Sequence, residues 1–177
     1  FNRLEDCSVS IPAYRTVKEY IREGETYVAR TSLHGYGGEG IVVGTKDELP
    51  YAPLYVEYIE KVAEYRVIVV GDEAVDTKKK LKKNRQSEDN PDGFVGEHNE
   101  HVWNLEGGYI MARNGFEVTD ELKQLGVDAV KALGLDFGAV DIIEDEEGRL
   151  YVLEVNTAFG LEGTTISLVG DALKELL

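Results

Sequence analysis

One cysteine, Cys7, stands among 177 residues, so the chain forms no internal disulfide and no cysteine-based zinc site. That usage fits a reducing, cytoplasmic setting. Basic residues are scarce: 19 Lys and Arg face 34 Asp and Glu, a formal charge of −15. Such a balance argues against non-specific binding to nucleic acid or an anionic membrane, although solubility alone also accounts for an acidic surface. No apolar run approaches the roughly 20 residues of a membrane-spanning helix, and no charged-then-apolar signal segment opens the chain. The three histidines, His34, His98 and His101, are scattered in polar stretches, with no Ser-His or Cys-His arrangement for covalent catalysis. Trp103 and the ten tyrosines read as packing residues rather than a base-stacking platform, given the charge. The chain opens on Phe1 rather than Met, as a processed protein or a fragment does.

What the chain does have is a pair of apolar runs bearing oxygen ligands. Gly138-Ala139-Val140-Asp141-Ile142-Ile143 is followed by the turn tetrad Asp145-Glu146-Glu147-Gly148 and then Leu150-Tyr151-Val152-Leu153-Glu154-Val155-Asn156. The simplest reading is an antiparallel hairpin with Asp145 opposite Gly148, which sets Asp141 opposite Val152. Alternation then puts Val152, Glu154 and Asn156 on the face of Asp141, with diagonal neighbours roughly 7–8 Å apart. Two carboxylates and an amide gathered there suit a hard cation such as Mg²⁺ or Mn²⁺. A register slip of one residue would separate them.

Elsewhere the pattern predicts a helix over residues 16–23 closed by Gly24, strands over 26–31 and 41–44, and further strands over 54–59 and 65–70. An extended basic stretch runs from Ala74 to Lys83, and a long polar loop from Asn84 to Asn99. Thr119 is a suitable N-cap for a helix carrying Leu122, Leu125, Ala129, Val130 and Leu133, ended by Gly134. A last helix, 166–177, offers Leu168, Val169, Ala172, Leu173, Leu176 and Leu177 as a buried stripe. Strands separated by long helices, with hairpin connections, predict an α+β fold of mainly antiparallel sheet.

Residues 35–40 contain four glycines in six positions. Bare backbone N–H groups in such a loop approach phosphates closely, but a plain hairpin tip is the simpler account of the glycines alone. The loop lies between two strands and no Gly-Lys-Ser or Gly-Lys-Thr is present, which excludes the P-loop and the dinucleotide fingerprint. Arg30, just before the loop, is either a phosphate clamp or a surface cation. Lys78-Lys79-Lys80-Leu81-Lys82-Lys83 is the one strongly basic island. If extended, it presents Lys78, Lys80 and Lys82 on one face, as an anion site or as a lysine-studded edge strand that resists aggregation.

Taken in chain order, Tyr27-Val28-Ala29-Arg30 with its glycine loop, Val56-Glu57-Tyr58-Ile59, Glu64-Tyr65-Arg66-Val67, the Asp141 strand, and Leu153-Glu154-Val155-Asn156 leading into Gly160-Leu161-Glu162-Gly163 resemble an ATP-grasp domain, closest to the RimK-like carboxylate–amine ligases. The resemblance runs from about Pro12 to the end. It implies the ATP-grasp fold: two α+β subdomains, divided here as 1–56 and 57–177, sandwiching the nucleotide. By the same resemblance the backbone at Tyr58 and Ile59, with Glu57 beside it, meets the adenine edge, and Glu64 binds the ribose. Arg30, Gly37 and Gly38 bind phosphates, and Asp141, Glu154 and Asn156 hold Mg²⁺. Arg66 and Lys80, with Lys78 or Lys83, fall near the γ-phosphate or substrate, and Asn104, Gly160 and Glu162 fall at the substrate.

The implied function is an ATP- and Mg²⁺-dependent ligase that activates an amino-acid or peptide carboxylate and joins it to an amine. Three departures stand beside it: Arg30 in place of the usual lysine, Phe159 where proline is common, and almost nothing before Ile11, where family members carry an N-terminal domain that helps bind the acid. The alternatives are a fragment of a larger ligase, an acid site supplied by a partner or by the long loop, and a non-catalytic ATP-binding module; a homo-oligomer is a further alternative.

Overall fold

The computed structural model describes residues 1–33, 39–88 and 90–176. They fold into two compact units, one of residues 1–11, 61–80 and 111–177 and the other of residues 12–60 and 81–110. The units are therefore interleaved, with the chain passing between them at 11/12, 60/61, 80/81 and 110/111 rather than once near residue 56.

The second unit is built on a four-stranded antiparallel sheet, β1 (Tyr14–Arg15), β2 (Thr26–Arg30), β3 (Ile41–Thr45) and β4 (Leu54–Glu57), in the spatial order β1-β4-β2-β3. Along β2 the buried Tyr27 and Ala29 alternate with half-buried Thr26, Val28 and Arg30, as a sheet with one packed face requires. Tyr27, Ala29 and Tyr55 form the core with Ile21, Leu49 and Ala52. The Tyr55 hydroxyl, buried at its root, donates to Pro50 O and accepts from Ala52 N, closing the loop over that core.

The helix expected over 16–23 is only a 3₁₀ turn, Lys18–Tyr20. Val17 and Ile21 on either side have extended backbone, no side chain caps the turn, and Ile21 alone reaches the core while Val17 and Tyr20 stay exposed. A single turn with one buried residue does not recover the cost of helix nucleation.

The other unit carries most of a five-stranded sheet, β5 (Lys61–Val70), β6 (Glu73–Lys82), β7 (Tyr109–Ala112), β8 (Phe137–Asp145) and β9 (Leu150–Asn156), in the order β7-β6-β5-β8-β9, with β5 antiparallel to β6 and β8 and β8 antiparallel to β9. One face is apolar: Tyr65, Val67, Val69, Val140, Ile142 and Val152 pack against α2 (Asp120–Ala132) through Leu122, Val127, Ala129 and Val130, and against Leu4 of the short α1 (Asn2–Asp6). Thr119 Oγ1 accepts from Leu122 N, the N-cap expected from the sequence. Gly126 lets α2 lie close on β5, since a Cβ there would stand 2.7 Å from Val67 Cγ1.

The opposite face packs only at one end. There Ile68, Val70, Ala139 and Val169 make a small core joined by Phe159 and Ala172. Val169 lies on α3 (Thr164–Leu176), which contacts the sheet along one line, so Leu168, Leu173 and Leu176 of its expected buried stripe are exposed. Leu177 lies outside the described residues. The basic stretch forms β6, flanked by β5 and β7, so it is no edge strand.

Candidate functional site

The β8–β9 hairpin decides where the carboxylates stand. Asp145 N donates to Arg149 O and Gly148 N to Asp145 O, so the turn is one residue longer than Asp145 opposite Gly148 would make it, with Gly148 at φ +78. The register then runs Glu144↔Leu150, Ile143↔Tyr151 and Ile142↔Val152, and shifts between Ile142 and Asp141, so that Asp141 faces Glu154 and Ala139 faces Asn156. The expected pairing of Asp141 with Val152 is thus corrected. Without the shift the strands would oppose Asp141 to Leu153; the extra residue in β9 resets the alternation, leaving Val152 in the α2 core while Glu154 and Asn156 join Asp141 on the other face.

Across four strands the register sets Lys78, Arg66, Asp141 and Glu154 side by side, with Lys78↔Arg66, Arg66↔Asp141 and Asp141↔Glu154. Arg66 grips Asp141 with a fork, Nε to Oδ1 at 2.7 Å and Nη2 to Oδ2 at 2.8 Å. That hydrogen bonding, working against burial, raises the Arg66 guanidinium above its ordinary value, with the charges of Asp141, Glu64 and Glu154 adding to it. Asp141 and Glu154 face each other directly, an arrangement that costs free energy between like charges and that a cation relieves.

Beside this row Glu64 is buried between two lysines. Lys61 Nζ donates to its Oε2 at 2.6 Å and Lys80 Nζ to its Oε1. Burial pushes the Lys61 ammonium down from the ordinary lysine value, against the charge of Glu64. Lys78 is lowered by burial too, and its ammonium lies 3.7 Å from Asp76 Oδ2. The polar face of this sheet is therefore a set of desolvated cations and carboxylates, Lys61, Lys78, Lys80 and Arg66 with Glu64, Asp76 and Asp141, and Glu154 at its exposed margin.

Asp76, Arg113 and Thr165 were not among the residues expected from the sequence. Arg113 Nε donates to Asp76 Oδ1 at 3.0 Å and Nη2 to Oδ2 at 2.9 Å, while Thr165 Oγ1 donates to Oδ2 at 2.8 Å. The signal was an acid at alternating spacing from Lys78 and Lys80 within the basic strand. Its partners lie 37 and 89 residues away, beyond any local pattern.

Gly160 and Glu162 are exposed in the turn between β9 and α3, with Gly163 at φ +52. Phe159, at the position where the sequence departs from proline, is half-buried against Phe137 at a ring separation of 6.3 Å and joins the Ile68, Val70, Ala139 and Val169 core.

In the second unit Arg30 is half-buried on β2 between Ile41 and Leu54, on the face opposite the Tyr27 core. Glu57 N donates to Ala13 O and Tyr58 N to Thr26 O, so the Tyr58 N–H is already engaged. Tyr58 meets His101 edge to face, and its hydroxyl lies 2.9 Å from His101 Nδ1. Asn104 Oδ1 accepts from Gly107 N at 2.6 Å and Asn104 O from Tyr109 N at 2.9 Å, which makes Asn104 the organiser of its own turn. Gly37 and Gly38 lie outside the described residues.

Asp141, Glu154 and Asn156 are hard oxygen donors on adjacent strands. Among the described residues no group of three or more His, Cys, Asp or Glu side chains gathers closely enough to hold a metal on its own. Mg²⁺ is usually bound by one or two carboxylates together with substrate phosphates, so this donor set fits it. No described helix is long and apolar enough to cross a membrane.

Known proteins resemble this chain in sequence and fold. A probable alpha-L-glutamate ligase of Haemophilus influenzae is 29% identical over 144 residues, 74% of this chain and 42% of that protein. The tetrahydromethanopterin:alpha-L-glutamate ligase of Methanocaldococcus jannaschii is 32% identical over 165 residues, 81% of this chain and 50% of that one. The chain thus spans half or less of the length of these relatives. Among solved structures, the ATP-grasp ligase PsnB in complex with a minimal precursor matches 98% of this chain and 59% of its own at a TM-score of 0.67 and 18% identity. The D-alanine–D-alanine ligase of Bacillus anthracis matches 98% of this chain and 66% of its own at 0.64 and 12% identity, so the α+β architecture is the ATP-grasp fold. The model of the RimK-like ATP-grasp domain matches residues 39–177, and the chain belongs to that family.

Proposed function

We propose that the chain is the ATP-grasp part of an ATP- and Mg²⁺-dependent carboxylate–amine ligase. The observation that carries this reading is the row Lys78–Arg66–Asp141–Glu154 with Asn156 beside it, in a chain of the RimK-like family. Glu154, Asn156 and Asp141 would hold the metal, which when bound offsets phosphate charge. Lys78, Lys80 and Arg66 are the cations of the same face, suited to a transferring phosphoryl group. Glu64 accepts from Lys61 at one oxygen and from Lys80 at the other, which leaves lone pairs for ribose hydroxyls. We therefore assign Glu64 to the ribose, held in place by those two lysines.

In the second unit we assign the adenine edge to the Tyr58 carbonyl and the Ile59 N–H, since the Tyr58 N–H is engaged by Thr26. Arg30 and the 35–40 loop, in which Gly37 and Gly38 stand, are assigned to phosphates. Asn104, Gly160 and Glu162 are assigned to the acid or amine substrate.

A carboxylate oxygen attacks the γ-phosphoryl group and ADP leaves; the amine then attacks the acyl carbon, and phosphate departs as the amine gives up a proton. No side-chain nucleophile is needed, and positioning with electrostatic stabilisation supplies the acceleration. Two relatives named as alpha-L-glutamate ligases and a structural neighbour bound to a precursor support an amino-acid or peptide carboxylate as the acid. The test incubates the chain with ATP, Mg²⁺ and amino-acid mixtures. ADP release coupled to amide formation supports the proposal; ADP binding without either product, in the full-length protein, refutes catalysis.

A further inference from the structure

The cluster Asp76, Arg113 and Thr165 lies outside every role assigned so far. Asp76 is 6% exposed and Thr165 is fully buried, yet both are polar, and each polar atom is answered within the cluster. Arg113 Nη2 donates to Thr165 Oγ1 at 2.5 Å as well as to Asp76, so one guanidinium binds a carboxylate and a hydroxyl together. Burying these groups costs free energy unless all of them are satisfied, and nothing about packing demands polar residues here.

What the cluster holds is the start of α3. Thr165 N donates to Glu162 O at 3.1 Å and Ile166 N to Gly163 O at 3.2 Å, so the backbone of Glu162 is one hydrogen bond from the residue that Asp76 and Arg113 fix. At the other end of the turn Phe159 is packed into the Ile68, Val70, Ala139 and Val169 core. Gly160, Leu161 and Glu162 stand exposed between an apolar anchor and a polar one. The polar anchor is also tied to the charged row, since Lys78, beside Arg66, lies within ion-pair distance of Asp76.

We infer that Asp76, Arg113 and Thr165 form a positioning clamp that fixes the Gly160–Glu162 turn relative to the Arg66–Asp141–Glu154 row. The inference rests on the proposed ligase reading for what the turn does, and on geometry alone for the clamp itself. Its members are positioning residues: they act on Glu162 through Thr165 and touch no substrate. The Asp76–Arg113 pair supplies the rigid base, and the threonine hydroxyl is the link that a valine would remove while filling nearly the same space.

The experiment compares the full chain with Thr165→Val and Thr165→Ser by hydrogen exchange and by ATP consumption with Mg²⁺ and an amino-acid mixture. Thr165→Val should speed exchange of the peptide covering 157–168 roughly tenfold while the β5 and β8 amides keep their protection, and Thr165→Ser should restore it. In the assay, Thr165→Val should lower kcat with KM for ATP unchanged, and Thr165→Ser should recover the rate. Exchange unaltered in a folded Thr165→Val protein overturns the clamp. So does a loss confined to KM for ATP, which would mean that the cluster supports the nucleotide rather than the turn. If the full-length protein consumes no ATP the ligase reading fails, and the exchange comparison still decides the clamp.

Discussion

Arg66 holds both carboxylate oxygens of Asp141 from the neighbouring strand, at 2.7 and 2.8 Å, in the same row that sets Glu154 on Asp141's other side. A planar fork matching a carboxylate fixes the angle of the acid as well as its charge, which an ammonium cannot do. The pair therefore leaves Asp141 aimed along the row while its oxygens keep further lone pairs for a cation.

A double-mutant cycle of Arg66→Ala and Asp141→Asn, followed by urea denaturation, should return a coupling of about 1–2 kcal/mol. Charged hydrogen bonds contribute about 1.5–3 kcal/mol, and the value is discounted because the Arg66 side chain is 28% exposed. Arg66→Lys should recover less than half of it. Additive single mutants would mean that the fork carries no stability.

Gly126→Ala sets two effects against each other. Alanine gains about 1 kcal/mol of helix propensity over glycine, yet its Cβ would lie 2.7 Å from Val67 Cγ1 and 3.0 Å from Val67 Cβ. Val67 is β-branched and fully buried, so it cannot swing aside, and overpacking of this kind costs about 1–3 kcal/mol. Net destabilisation of roughly 1 kcal/mol is expected, read from the denaturation midpoint at unchanged slope.

Asp76 gives a pH signature. Burial alone would raise its carboxyl, but the Arg113 and Thr165 hydrogen bonds and the Arg113 and Lys78 charges together hold it below the usual range. A carboxylate depressed in the folded state adds stability that is full above the unfolded value, about 4, and is lost as pH falls through the lower folded value. The stability difference between the natural chain and Asp76→Asn should thus be constant near neutrality and shrink as pH drops below about 4. A difference that is flat to pH 2 would contradict the assignment.

Much of this fold was legible because its signals are local. The N-cap at Thr119, the alternation of β2 and the order of motifs along the chain each rest on a few neighbouring residues. The Asp141 to Glu154 pairing was legible in substance and wrong in register: the sequence cannot reveal the added turn residue or the extra residue near Leu153, and the two shifts together bring Glu154 directly opposite Asp141. The helix expected over 16–23 and the buried stripe expected on α3, itself found as a helix, failed for the same reason. Their apolar spacing suits a helix face, but burial depends on what the fold sets against it: Ile21 and Val169 are buried in a core and Ala172 packs against one, while the other large apolar residues of both segments stay exposed. The Asp76 cluster was invisible because its three members come from three distant segments.

The central claim is that Glu154 is a metal ligand for a nucleotide. Its most direct measurement is the thermal unfolding of the chain and of Glu154→Gln with ADP, with and without Mg²⁺. Glu154 is exposed, so the substitution alone should change stability by no more than about 0.5 kcal/mol. At a hundredfold excess over Kd, ADP with Mg²⁺ should stabilise the natural chain by about 2.7 kcal/mol, a rise in Tm of roughly 5–10 °C that chelation reduces. In Glu154→Gln the Mg²⁺-dependent part of that rise should disappear. An equal Mg²⁺-dependent rise in both proteins, or none in the natural chain, would contradict the account.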